Sequence, residues 1–437
     1  MKINYLNFSF VLLLILTSCS GSHKERAVSL SSPMFDLSED ATVSEDAVYS
    51  EIAKSTDDVI KAETTINSGD EIYSEEKVIT EDDRSSDSPV MMQQRKQNKP
   101  GVITVGEWND LESWSFWNKV IERDDFKSMP GYWTFFNNNR ISVTVVGQDS
   151  GPVADVSVKL KRNGKTIFSS RTDNKGKSEL WVDLFQRNDN VDFSTLTIDI
   201  NNGAAIISKV KSYQEGINEI IITSEPAEKK IEIAFVVDAT GSMGDELEYL
   251  KTELVDVVSK AEGTNPDCSF FTSAVFYRDE GDDYVTKVSN FTNDIDITMN
   301  FIRKQSANGG GDFPEAVHTA LDKAVNELEW SSKARARLLF LLLDAPPHYD
   351  KNVISSIQKT LTAGIEKGIK IIPITASGID KETEFLMRFL SISTNGTYVF
   401  ITNHSGIGNA HLEPSIGEYQ VEFLNNLLVR LINEYAQ

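Results

Sequence analysis

The residues of this chain whose types and order could do chemistry are oxygen donors that follow apolar runs. The run "IEIAFVV" ends in Asp238, with Thr240 and Ser242 close behind. Far downstream "RLLFLLL" ends in Asp344, followed by Ala345, Pro346, Pro347 and His348. Between the two, Gly309, Gly310 and Gly311 lead into Asp312, and Phe313-Pro314-Glu315 reads as the first turn of a helix, where proline is well placed. Carboxylates and hydroxyls, with no cysteine and no close pair of histidines, suit a hard divalent cation rather than zinc. Mg²⁺ is the first expectation, with Ca²⁺ and Mn²⁺ as alternatives.

These donors need strands to deliver them. From residue 229 to 437 apolar, β-rich runs ("IEIAFVVD", "SFFTSAVFY", "RLLFLLLD", "IKIIPITA", "GTYVFIT") alternate with amphipathic helical stretches. Near-continuous Val, Ile, Leu and Phe mean strands buried on both faces, hence a doubly wound, mainly parallel α/β sheet wrapped by helices. Such sheets bind ligands beyond the carboxyl ends of their strands, which is where Asp238 and Asp344 fall. The second run feeds the hairpin "YRDEGDDYVTKV", expected to rise on the same edge. Arg278, Asp279 and His348 would then form a rim that a partner touches. Asp312 has two readings at this stage: a cation ligand, or a cap for the helix after it. A last helix, about 418 to 435, carries Val421, Leu424, Leu428, Leu431 and Ile432 on one face and closes the domain.

Upstream the periodicity changes twice. Residues 139–225 alternate apolar and polar side chains between Gly, Asp and Pro turns, which predicts an all-β sandwich. Asp173 and Asn174 read there as turn formers. Residues 101–135 predict a helical docking segment, with Asn109 and Glu112 as a capping pair and Leu111, Trp114, Trp117, Val120 and Ile121 at helical spacing. Residues 19–100 are rich in Ser, Thr, Asp and Glu with few aromatics, the composition of a disordered acidic tether. Residues 1–18 have Lys2, an apolar core and small residues before Cys19, the pattern of a secretory signal peptide. Past Cys19 only Cys268 remains, so no intramolecular disulfide is expected. The formal charge of −23 argues against a nucleic-acid partner.

Several of these stretches resemble known families. Leu16-Thr17-Ser18-Cys19 is similar to a bacterial lipobox, which implies a lipidated Cys19, attachment to a membrane, and a place in the cell envelope, at the outer membrane or cell surface. Residues 151–177 resemble carboxypeptidase-regulatory-like sandwiches, which serve mostly as spacers. Asp238-Ala239-Thr240-Gly241-Ser242-Met243, the loop from Gly309 to Ala316 and Asp344-Ala345-Pro346-Pro347-His348 together resemble the metal-ion-dependent adhesion site of von Willebrand factor type A domains. The "GGGDFPEA" and "DAPPH" variants look most like the alpha-kinase-type branch, though no kinase sequence is present. The resemblance implies that Asp238 and Asp344 hold a cation largely through water. It also implies that Thr240 and Ser242 ligate directly, and that an acidic side chain of an unidentified partner protein completes the shell. Where many members have a threonine, this chain has Asp312, so three negative charges would face the ion and weaken its pull on a partner's acid. The expected function is metal-dependent protein binding or adhesion, not catalysis. An envelope scaffold is the alternative, and a metal-activated hydrolase the third reading.

Overall fold

The computed structural model describes residues 99–437. The leader, Cys19 and nearly all of the acidic stretch 19–100 lie outside the described residues. Among those described, no helix is long and apolar enough to cross a membrane.

The described part opens with a strand whose own sequence pattern assigns it to no sheet. β1 (Thr104–Trp108) is followed by two short helices, α1 (Trp114–Val120) and α2 (Met129–Trp133). Seven strands come next: β2 (Arg140–Val146), β3 (Ser157–Arg162), β4 (Lys165–Arg171), β5 (Lys177–Trp181), β6 (Leu196–Ile200), β7 (Ala205–Ile207) and β8 (Asn218–Ile221). The α/β portion follows as β9 (Lys230–Asp238), α3 (Gly244–Thr264), β10 (Ser269–Tyr277), β11 (Thr286–Thr292), α4 (Ile295–Arg303) and α5 (Val317–Asp322). It continues through β12 (Ala336–Leu343), α6 (Lys351–Lys367), β13 (Ile369–Thr375), α7 (Lys381–Ser393) and β14 (Tyr398–Ile401) to β15 (Glu422–Phe423) and α8 (Leu424–Ala436).

The main sheet has eight strands in the order β11-β10-β9-β12-β13-β14-β1-β15. Its five central strands are parallel, while β11 joins antiparallel at one edge and β1 lies antiparallel against β14. The strands are buried on both faces, as their unbroken apolar runs require. Along β9, Ile231, Ile233, Phe235 and Val237 share a core with α3, α4 and α8. Ala234 and Val236 face the other core, under α1, α2, α5, α6 and α7. Such burial stabilises by roughly 25 cal/mol per Å² of apolar surface removed from water.

The position of β1 corrects the expected organisation. Residues 101–135 are not a separate docking segment but the first strand and two helices of the α/β domain, so the sandwich is an insertion between α2 and β9. The strand is held at its start by Glu253 of α3, whose buried carboxylate accepts hydrogen bonds from the backbone N–H groups of Gly101, Val102 and Ile103. The tryptophan stripe of α1 then packs inward. Trp117 stacks on Phe385 of α7, with ring centroids 5.8 Å apart. Beside it Arg388 makes a fully buried fork with Asp110 (2.7 and 2.9 Å) and reaches Glu384 (3.0 Å). Asn109 Oδ1 accepts from the N–H groups of Leu111 and Glu112, ahead of the helix itself.

The inserted sandwich has two sheets, β5-β2-β8 and β4-β3-β6-β7, around a core of alternating residues that includes Ile141, Val143, Val158, Leu160, Leu180 and Ile198. It docks against the amino-terminal ends of the parallel strands. Asp155 pairs with Arg337 at the start of β12 (2.8 Å) and with Arg171 (2.6 Å), and accepts from the N–H of Ala334 (3.1 Å). Asp173 uses one oxygen to hold its own turn, through the N–H groups of Lys175 and Lys177. Its other oxygen accepts from Asn395 and lies 3.8 Å from Lys370 of β13. Asn174 donates to Glu434 O (2.6 Å). The last helix is shorter than expected, and Val421 lies before it and is exposed.

Candidate functional site

At the opposite edge, the carboxyl ends of the parallel strands, the oxygen donors gather. Asp238 ends β9 and has no exposed surface. Its Oδ1 accepts from Thr240 N (2.8 Å) and Thr240 Oγ1 (2.7 Å), which folds the motif into a tight turn. Thr240 Oγ1 lies 3.1 Å from the hydroxyl of Ser242, the outermost of the three, which is exposed. Asp344 follows β12 and is 5% exposed. Parallel pairing of β9 with β12 brings these two strand ends side by side.

The glycine loop closes over this pair. Gly241 donates to Gly309 O (3.0 Å) and Asn308 to Ala239 O (3.0 Å), so the loop lies directly on the motif turn. At Gly310, with φ of +70°, a Cβ would sit 2.8 Å from Glu315 Oε1 and 3.3 Å from Thr240 Cβ. The left-handed backbone and the missing side chain both favour glycine there, and their result is that Glu315 packs up to the Thr240 side of the site. Glu315 is 2% exposed. Its backbone is fixed by a hydrogen bond from its N–H to Pro346 O (2.9 Å) and a parallel bridge to Pro347, in the loop after Asp344.

Glu315, and not Asp312, is therefore the third buried acid. Asp312 is exposed, and α5 begins only at Val317 with Ala316 before it, so Asp312 does not cap the helix. The rim also differs from expectation. Arg278 and Asp279 are 5% and 7% exposed, too buried to form a partner-facing surface. Arg278 directs its guanidinium at backbone carbonyls, and only His348, whose side chain is 30% exposed, keeps a surface position.

The electrostatics of the three acids are unusual for carboxylates. One oxygen of each, Asp238 Oδ2, Asp344 Oδ1 and Glu315 Oε2, is buried without a hydrogen-bond partner. Burial pushes the carboxyl of Asp238 up from its ordinary range. Burial and the charge of Asp238 do the same to Asp344, against the pull of Ser242, which favours the charged form. Glu315 is pushed up to about 9, first by burial and then by Asp238, Asp279, Asp344 and Asp282. Tyr277 is buried beside them, its phenol also held well above its ordinary range by burial and by the charge of Asp238. Buried carboxylates ordinarily find an arginine, a lysine or several N–H groups, because an unpaired buried charge costs several kcal/mol. Here each keeps one oxygen without a hydrogen-bond partner. Among the described residues no group of three or more His, Cys, Asp or Glu side chains is arranged to hold a metal ion by itself, so a cation here would also need Thr240, Ser242 or water. Such a set fits a hard divalent cation, which would neutralise the acids and occupy the open oxygens.

Residues 232–409 match the family model described as von Willebrand factor A domain. The match starts within β9 and ends after β14, leaving out β1 and α8. A protein of Acanthamoeba polyphaga mimivirus described as an ariadne-like RING finger protein is 35% identical over 122 residues, 28% of this chain. The chain spans only 12% of that relative's length. Among solved structures, a conserved hypothetical protein, BatB, from Bacteroides thetaiotaomicron aligns over 47% of this chain and 98% of its own, with 14% identity and a TM-score of 0.33.

Proposed function

We propose that the von Willebrand factor A domain of this chain docks a partner protein through a divalent cation held at the carboxyl edge of its sheet. The general protein-interaction role follows from the domain; the cation is the finer part of the reading. The observation that supports it is the set of three buried acids, each with one oxygen that has no hydrogen-bond partner, at the strand ends that carry Thr240 and Ser242. Thr240, Ser242 and the open oxygens of Asp238, Asp344 and Glu315 would hold the ion, directly or through water, and the ion would supply a positive anchor for a partner's oxygen donor. With Glu315 already present the acids bring three negative charges to a +2 ion. That favours Ca²⁺ more than a threonine in the same place would, although Mg²⁺ and Mn²⁺ fit the same donors. Docking is preferred to hydrolysis because, among the described residues, no histidine hydrogen-bonds to Thr240 or Ser242, so neither hydroxyl has an imidazole base.

The lipobox-like ending at Cys19 supports a chain anchored to an envelope membrane by lipid, with the α/β domain and its inserted sandwich held outside the cytoplasm. The test is a pull-down from native membranes with the full chain as bait, run with 1 mM-scale cation or with chelator (about the concentration that saturates weak sites). Retention of the same partner with cation and its loss with chelator is the expected outcome. Retention of partners regardless of chelator, or of none, contradicts cation-dependent docking.

A further inference from the structure

The loops that deliver the cation donors are irregular, and a few backbone hydrogen bonds (Gly241 to Gly309, Asn308 to Ala239, Glu315 to Pro346) join them to one another. All of them are tied to one short turn, residues 278–285 between β10 and β11. Arg278 donates from Nε to Ala239 O (3.1 Å) and from Nη2 to Ser306 O (3.0 Å), joining the motif turn to the start of the glycine loop. Asp279 Oδ1 meets His348 Nε2 at 2.7 Å and so reaches the loop after Asp344. Asp282 Oδ2 accepts from Gly310 N (2.9 Å) and from Asp279 N (3.1 Å). The approach is close: at Gly309, where φ is +79°, a Cβ would collide with the carboxylate of Asp282. Glycine at 309 is thus required by the turn as well as by its own backbone.

We propose that this turn is a clamp that sets the geometry of the cation site, and that Asp282 is the positioning residue for its glycine loop. The consequence for cation affinity rests on the cation reading given above; the clamping of the loop does not. Asp282 acts on Gly310, which in turn leaves room for Glu315 and Thr240, and is assigned no contact with the ion. Its role needs an acceptor oxygen and not a charge, because both hydrogen bonds fall on one atom. An asparagine carbonyl oxygen could take both. Arg278 and Asp279, expected at the surface from sequence, belong to the same clamp on the inner side.

The experiment compares the full chain with its Asp282→Ala and Asp282→Asn variants by two readouts. Hydrogen–deuterium exchange of residues 306–311 in chelator reports the clamp alone. Titration with Mn²⁺, followed by the spin-resonance signal of the free ion, reports the consequence. In Asp282→Ala the loop amides should exchange at least about tenfold faster and the Mn²⁺ dissociation constant should rise about tenfold, the effect of losing a buried hydrogen bond worth ~1.4 kcal/mol. Asp282→Asn should keep the exchange of the loop within about twofold of the parent. The proposal is overturned if Asp282→Ala leaves exchange unchanged, or if Asp282→Asn loses as much as alanine, which would make charge the operative property. If the parent chain takes up no Mn²⁺ while Asp282→Ala still loosens the loop, the clamp stands and the cation reading falls.

Discussion

The two edges of the parallel sheet carry the same kinds of residue and treat them in opposite ways. At the strand starts Asp155 is enclosed by Arg337, Arg171 and a backbone N–H, and Glu232 by the N–H and hydroxyl of Ser331. Asp173 is held by Asn395 and its own turn, with Lys370 nearby. At the strand ends Asp238, Asp344 and Glu315 are equally buried, yet each keeps an oxygen with no partner. Pairing at one edge makes a joint, which fastens the inserted sandwich to the α/β domain. The open oxygens at the other edge are what a joint would not tolerate, and the proposed cation site rests on them. Burial alone distinguishes neither; the difference lies in who answers the carboxylate.

Three measurements would break or sharpen this contrast. The largest effect is expected at the joint. Asp155→Ala takes the nearest carboxylate from buried Arg337, which keeps Ser331 O and, at 3.7 Å, Glu232, and should lower the unfolding free energy by about 3 kcal/mol in a urea titration. The cation response at the far edge should be kept. A loss below about 0.5 kcal/mol, the range of an ordinary surface substitution, would mean that the joint is not what holds the sandwich.

Next is the dependence of stability on pH without cation. Glu315 is held at about 9 in the folded chain, against roughly 4.3 for a free glutamate. Its folded form therefore keeps a proton that the unfolded chain releases, and Asp238 and Asp344 are displaced in the same direction. Between these values the folded state binds more protons, so stability must fall as pH rises from about 5 to 9. Thermal unfolding in chelator across that range should show the decline, and saturating cation should flatten it. A stability that rises over the same range would show that the acids are already charged and paired. The smallest effect is expected for Asp312→Asn, which removes an exposed carboxylate with no hydrogen bond. Stability should change by less than about 0.5 kcal/mol and cation affinity by less than about twofold, as read by the same melts with and without cation.

The sequence made the strand-end acids legible because each follows an unbroken apolar run, and a run that long can only be a strand buried on both faces. Asp238 and Asp344 ended up where that pattern put them. What it did not show depends on contacts between distant segments. β1 is five residues long and becomes a strand only through its pairing with β14, nearly three hundred residues on, so its local pattern carries no trace of the sheet. Glu315 looked like the first turn of a helix. In the folded chain Glu315 instead bridges Pro347, the helix starts only at Val317, and the glutamate is buried. Proline followed by glutamate after three glycines was the available signal, and Asp312, one position past the glycines, drew attention away from it. Arg278 and Asp279 were placed on the right edge but at the wrong depth, because a hairpin rich in charge reads as solvated until its partners are known.

The central claim is that the open oxygens at the strand ends are there for a divalent cation. Calorimetric titration of the chelator-stripped full chain with Ca²⁺, Mg²⁺ and Mn²⁺, beside its Asp238→Asn variant, tests it most directly. A single saturable site in the parent chain, lost in Asp238→Asn while the variant still unfolds cooperatively, is the result this account predicts. A parent chain that binds none of the three ions, or an Asp238→Asn variant that binds them equally well, would contradict it.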